Sequence, residues 1–274
     1  NAGVTHALWT LHGLKLGQAN AIRRVPAELH RQLLEHPAAG VRRNALLTLA
    51  ADAQAVQWIV ALDVVHDVDA QVQLAALLVL ADAPADPQAA ELLSELCRES
   101  GFLNDHFLKD AVICAAASHA RDFLTSNVAR RSAVGTPPSS PETPSSNVAR
   151  RSAVGTPLSS SDASPSNVAR RSVVGSDLPP SPEAKEVLRV VAEHAARSGI
   201  DDDALAALLD SMAQSSPAQV APLAEGLAAG WPRQSTAELP PRADEVLQNL
   251  CRLATPAELP ALLRLGSVWG SSTT

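Results

Sequence analysis

Tyrosine is missing from this 274-residue chain, and with four Trp and three Phe the aromatics reach only 3 %. Sheets draw on aromatic and β-branched side chains, so this scarcity points away from a β fold. Lysine is almost as rare, at Lys15, Lys109 and Lys185 only, and the net charge is −7. The clustered cations that grip a phosphate backbone are lacking, which excludes nucleic acid as the expected partner. Cys97, Cys114 and Cys251 stand apart with no CxxC, so neither a disulfide framework nor a thiolate metal site is expected. They read as apolar thiols, with a Cys97–Cys114 bridge between neighbouring helices left open. No apolar run reaches the ~18 residues of a membrane span, so direct membrane insertion by this segment is not expected. The chain opens at Asn1 with neither Met nor a signal sequence, and reads as a piece of a longer protein.

Catalytic signatures are missing too. There is no GxGxxG, GKS or GKT, HExxH or GxSxG. Eight His are scattered; His6 and His12, like His30 and His36, lie six apart and so off the shared face that an i, i+4 metal pair needs. With His106 and His119, near opposite ends of one expected helix, they read as surface or inter-repeat hydrogen-bonding residues. Asp201-Asp202-Asp203 reads as helix-start carboxylates at the positive end of a helix rather than as a cation site. No catalytic, cofactor-binding or metal residue is expected in this segment.

What is present is alanine and leucine, in a chain that is 46 % hydrophobic. Small and unbranched side chains of this kind suit helix against helix. They also recur. Ala45-Leu46-Leu47-Thr48-Leu49 is echoed by Ala7-Leu8-Trp9-Thr10-Leu11 upstream, by Ala76-Leu77-Leu78-Val79-Leu80 downstream, and loosely by Ala111-Val112-Ile113-Cys114-Ala115, at offsets of 38, 31 and 35 residues. A self-similar unit of that length is the mark of stacked helical pairs.

Helices are expected over residues 5–14 (closed by Gly13 and Gly17), 26–35 and 41–50, then from Asp52 to about Leu62 and from Asp69 onward. Asp86-Pro87 starts another that ends near Gly101, and Asn104 caps one running to about Ala120. Ser181-Pro182 opens a helix that stops at Gly199, and Asp201 the next. Capping boxes at Ser216-x-x-Gln219 and Thr255-x-x-Glu258 open two more, and Pro240-Pro241 sets off a helix through Leu247 and Leu250. Helices of this length are marginal alone in water, so the repeat is the stable unit.

Residues 125–182 break the pattern. Ser-Asn-Val-Ala-Arg-Arg-Ser starts at Ser126, Ser146 and Ser166, a period of 20, with Pro/Ser tracts between. Apolar residues are sparse and aromatics absent, and the stretch reads as a disordered, duplicated insert. Stretching a closed loop from ~6 to ~58 residues costs only about 2 kcal/mol, and deletion of residues 126–180 is expected to leave the array folded. The insert is basic, with six Arg against Glu142, Asp162 and Asp177. Each Arg-Arg-Ser reads either as a kinase or anionic-partner site or as an idle expansion. The expected organisation is helical repeats over 1–124, this insert over 125–182, and further helical hairpins over 183–274.

The phrases Ala7-Leu8-Trp9-Thr10-Leu11-His12-Gly13-Leu14 and Val41-Arg42-Arg43-Asn44-Ala45-Leu46 resemble HEAT repeats, the second with the Val-Arg that often opens the repeat's inner helix; at Val72-Gln73 that Arg is replaced. Together with Val72 to Ala81 and Phe107 to Leu124, they resemble more narrowly the HEAT-repeat region of PVC-type haem-binding CxxCH proteins. Those are large, membrane-bound or secreted bacterial dehydrogenases that join a sugar-dehydrogenase-like propeller to helical repeats and a c-type cytochrome domain. The resemblance covers 1–124 well and 183–270 weakly. It implies an all-α fold, an α-α superhelix of HEAT-like repeats interrupted by a long disordered loop. It implies a non-catalytic scaffold within a larger redox protein, with neighbouring domains of the parent chain as partners, haem c only in that parent, and a periplasmic or cell-envelope location. Neither CxxCH nor a propeller pattern occurs here, so no catalytic or haem-binding residue carries over. A free-standing protein- or peptide-binding HEAT solenoid, using the concave face built by the second helix of each pair, is the alternative.

Overall fold

The computed structural model describes residues 2–16, 27–99, 101–129, 180–232, 240 and 242–271. Among them are thirteen α-helices, two 3-10 turns and no strand. In chain order the helices are α1 Ala2–Leu16, α2 Ala27–Leu34, α3 Ala39–Leu47, α4 Ala53–Ala61, α5 Ala70–Asp82, α6 Pro87–Leu96, α7 His106–Ser118, α8 Ala120–Ala129, α9 Pro182–Ser198, α10 Asp202–Ala213, α11 Pro217–Gly230, α12 Arg242–Leu253 and α13 Leu259–Trp269. The 3-10 turns, Val64–His66 and Phe102–Asn104, lie between α4 and α5 and between α6 and α7.

Local chemistry sets most of the starts. Asp52, Asp69 and Asp86 each accept, at Oδ1, the backbone N–H groups two and three residues on, which opens α4, α5 and α6 as expected. Such a cap is worth about 1 kcal/mol. Ser181 and Asp201 do the same for one N–H each at α9 and α10. At α11 the Ser216 N–H donates to Gln219 Oε1 at 3.1 Å. The Thr255–Glu258 pair also forms, but one turn early: Thr255 N–H donates to Glu258 Oε2 at 2.7 Å, and α13 begins only at Leu259.

Short helices such as these persist by burying apolar stripes, and most of the residues that recur at helical spacing are buried, though Leu29 of α2 is exposed and Leu49 and Val60 are half-buried. Val41, Ala45 and Leu46 of α3, Val72, Ala75, Ala76, Val79 and Leu80 of α5, and Leu205, Leu208, Leu209 and Met212 of α10 all lie in the core. The helices take their places in two alternating sets. Each odd-numbered helix packs on the next odd one from α1 to α13, and each even one on the next even one from α4 to α12. Neighbours in sequence close the sets on each other, as in α2 on α3, α4 on α5, α8 on α9 and α12 on α13. Helices on the two sides of residues 130–179 pack directly: α7 and α8 on α9, and α8 on α10. The repeated copies over 130–179 lie outside the described residues.

Three local expectations are corrected. Helix α1 passes through Gly13 to Leu16, since an isolated glycine weakens a helix by about 1 kcal/mol without ending it. Asp105, not Asn104, caps α7: Asn104 is taken up in the 3-10 turn, and Asp105 Oδ1 accepts from Phe107 and Leu108 N–H. Most consequential is α8, which the sequence reading missed. The chain turns at His119 and runs helically to Ala129, so Ser126-Asn127-Val128-Ala129, the start of the first duplicated copy, belongs to the array. Phe123 and Val128 are fully buried there. Asn127 Nδ2 donates to Ser94 Oγ on α6 at 2.8 Å, and Ser215 Oγ, beyond α10, donates to Val128 O at 2.6 Å. The helical array therefore extends into the stretch expected to be disordered, and a deletion starting at residue 126 removes part of the core.

Helices α9 and α11 pack with their backbones in close contact. A Cβ added at Gly226 would lie 2.1 Å from Arg189 O, and one at Gly230 2.1 Å from Glu193 O, with Ala192 and Ala196 beside them. Two glycines one turn apart, set against two alanines one turn apart, bring the backbones so near that no larger side chain fits between them.

Candidate functional site

The side chains with chemical potential are built into the joints between helix pairs. Arg42, on α3, donates from Nε and Nη2 to the two carboxylate oxygens of Asp67 at 2.6 Å each, and from Nη1 to His36 O and Pro37 O at 2.8 and 3.2 Å. One buried guanidinium thus ties the turn before its own helix to the turn before α5. Its fork matches a carboxylate bidentately, which a lysine could not do. Gln73 takes the equivalent place on α5, where the sequence shows the Arg replaced. Its Nε2 donates to Asp67 O at 2.6 Å, again the carbonyl six residues back, so the local bond survives and the forward link does not.

His66 is held between two carboxylates from different pairs: Nδ1 contacts Asp63 Oδ1 at 2.5 Å and Nε2 contacts Glu99 Oε1 at 2.7 Å. The hydrogen bonds to Asp63 and Glu99, partly opposed by burial, raise its pKa from 6.5 to about 10. Because the folded value lies above the unfolded one, the stabilisation is fully present below about pH 6.5 and is lost as pH rises through about 10. In an NMR titration the His66 ring is expected to stay protonated at pH 8, and Glu99→Gln to lower its midpoint. A native midpoint near that of a free imidazole would contradict the bridge. The two carboxylates sit on opposite ring nitrogens and so do not converge on one point. Among the described residues no group of three or more His, Cys, Asp or Glu is placed to hold a metal ion.

His119, at the bend between α7 and α8, is also buried. Its Nδ1 accepts from Asp86 N–H at 2.9 Å, and its Nε2 faces Leu80 O at 2.9 Å. These partners demand the neutral ring with the proton on Nε2, one acceptor and one donor. The ring caps the link from α5 to α6 from the next pair along, the second of the two roles, surface or inter-repeat, expected of this histidine. Ser118 adds a bond from its Oγ to Ala81 O at 2.6 Å.

The three cysteines are free thiols. Cys97 is buried and Cys114 exposed, so the bridge between them is not formed. Burial pushes the Cys97 thiol up to about 12, which leaves it inert as a nucleophile. The Asp201-Asp202-Asp203 run lies at the start of α10, with Asp201 Oδ1 accepting from Ala204 N–H at 2.7 Å. Among the described residues no helix is long and apolar enough to cross a membrane.

One surface feature follows the repeat. Trp9, Leu47 and Leu78 hold the same position in successive copies, on α1, α3 and α5, and are 43, 40 and 45 % exposed. Trp9 is fixed there by a 2.7 Å bond from its Nε1 to Asn44 Oδ1 on α3. Their neighbours in sequence, Leu8, Leu46 and Leu77, are buried. Each copy thus turns one large apolar residue inward and the next outward. Sequence reading saw the repeat but not this outward column, whose signal was a large apolar residue at the same copy position each time. Compared with known proteins, the chain matches no family model, no curated protein and no solved structure.

Proposed function

We propose that the chain is a non-catalytic helical-repeat scaffold of the HEAT type, its alternating helices forming an α-α superhelix. The observation that carries this reading is the packing of every odd helix on the next odd one, with the joints clamped by Arg42, His66 and His119. Titratable side chains at these joints are spent on backbone groups and ion pairs of adjacent pairs, which suits a spacer. In the fuller form of the proposal, which rests on the sequence resemblance, the segment belongs to a larger bacterial redox protein. There it holds a propeller and a c-type cytochrome domain at a fixed separation, in the periplasm or cell envelope.

The second reading, a free-standing solenoid that binds a protein or peptide, is favoured by the exposed column of Trp9, Leu47 and Leu78. Apolar side chains presented in series on consecutive helices suit recognition of an apolar stripe on a partner. Sequencing the coding region on both sides separates the two. The redox-scaffold reading expects an open frame that continues into a CxxCH downstream. A start and a stop codon close to the two ends would contradict it and leave the binding solenoid.

A further inference from the structure

The joint after the one that His119 fills has a gap. Helices α7 and α9 end alike, in a serine followed by the residue that closes the helix: Ser118-His119 in one, Ser198-Gly199 in the other. The His119 ring reaches back to the preceding connection and occupies the space between pairs. Gly199 has no ring to offer, and a Cβ built on it meets nothing within 4 Å. At this junction, between the α7–α8 bend and the α9–α10 turn, lies a cavity of about 170 Å³. Small residues Ala117, Ala120, Ala195 and Ala204 line it together with Leu124, Ile200 and Leu208.

We propose that this cavity is a binding site for an uncharged single-ring aromatic compound. Its size suits one: an apolar protein cavity of about 150 Å³ holds benzene. Its lining is mainly aliphatic, with a few polar groups (Arg121, His194, Ser198 and Asp201) to orient what enters, the usual make-up of a small-molecule site. Its two opposite charges argue for a neutral ligand. Arg121 and Asp201 both line the cavity and offset each other, with His194 the remaining titratable group of the lining. Arg121 is exposed and its guanidinium can lie over the face of a bound ring. Asp201 is already engaged in capping Ala204 N–H.

The test is a methyl-detected NMR titration of the full chain with toluene. The Ala117, Ala204 and Leu208 methyls are expected to shift saturably, while Ala45 and Leu46, in α3, stay in place. Ala204→Phe, which fills the cavity, is expected to weaken the apparent affinity at least tenfold; Ala120→Leu serves the same end if that variant does not fold. Benzoate and benzylamine are expected to bind at least fivefold more weakly than toluene. No saturable shift up to the solubility of toluene would overturn the site. So would equal shifts throughout the core, or binding retained in a folded, cavity-filled variant. A charged analogue that binds as well as toluene would overturn the neutral-ligand assignment.

Discussion

Replacing Gly226 with alanine is expected to cost the fold about 3 kcal/mol, the upper part of the usual range for overpacking a core. The added Cβ falls 2.1 Å from Arg189 O and 2.8 Å from the Ala192 Cβ. The first of these is backbone, in the middle of α9, so no side-chain rotation relieves the clash and one helix must move away from the other. Helix propensity pulls the other way by at most about 1 kcal/mol, because alanine is the better helix former. The clash wins. For a chain of this size the loss corresponds to a fall of roughly 6–12 °C in melting midpoint, measurable by circular dichroism. Gly40→Ala is the matched control. Gly40 is also helical, yet a Cβ there meets nothing within 4 Å, so that variant is expected to hold or raise the midpoint. Equal losses in the two variants would mean that the α9–α11 approach is not the cause.

Much of the helical order was legible because it rests on local rules. An aspartate that bonds the N–H groups just ahead of it in the chain needs nothing from the rest of the fold, and Asp52, Asp69 and Asp86, with two such bonds each, and Asp201, with one, were readable for that reason. The apolar stripes of α5 and α10 were likewise periodic enough to read. What failed depends on partners distant in sequence. Thr125, Ser126 and Asn127 have poor helix propensity and open a Pro/Ser-rich repeat, so α8 looked like the start of a loop. It is held by Ser94 and Ser215, 33 and 87 residues away from their bonding partners. Gly226-x-x-x-Gly230 against Ala192-x-x-x-Ala196 was a usable signal for a close helix pair, but glycine was being read as a stop. At the joints, the inter-repeat role of His119 was readable as a class, while the second partner of His66, Glu99, is 33 residues away and was not. The cavity could not be read at all, since it depends on which residue closes α9 when its neighbour α7 closes with a ring.

Val128→Asp is expected to unfold the array or cost about 4 kcal/mol, as large as single substitutions usually become. The valine is fully buried in α8 within the apolar core, and an aspartate there would carry a charge out of water into that core. The same site explains why a deletion must respect the 20-residue period. Removing residues 126–165 takes out two whole units and brings Ser166-Asn167-Val168-Ala169 directly after Thr125, restoring the four residues that complete α8. Shortening the connection in this way also lowers its closure entropy, by about 1 kcal/mol.

Thermal unfolding of that deletion, beside Val128→Asp and the native chain, tests most directly whether the helix pairs form one array that needs a single copy of the unit. The expected result is native helicity and a melting midpoint at or slightly above the native one for the deletion, with a fall of 10 °C or more, or no cooperative transition, for Val128→Asp. A deletion that melts 10 °C lower, or a Val128→Asp chain that melts like the native protein, would contradict it.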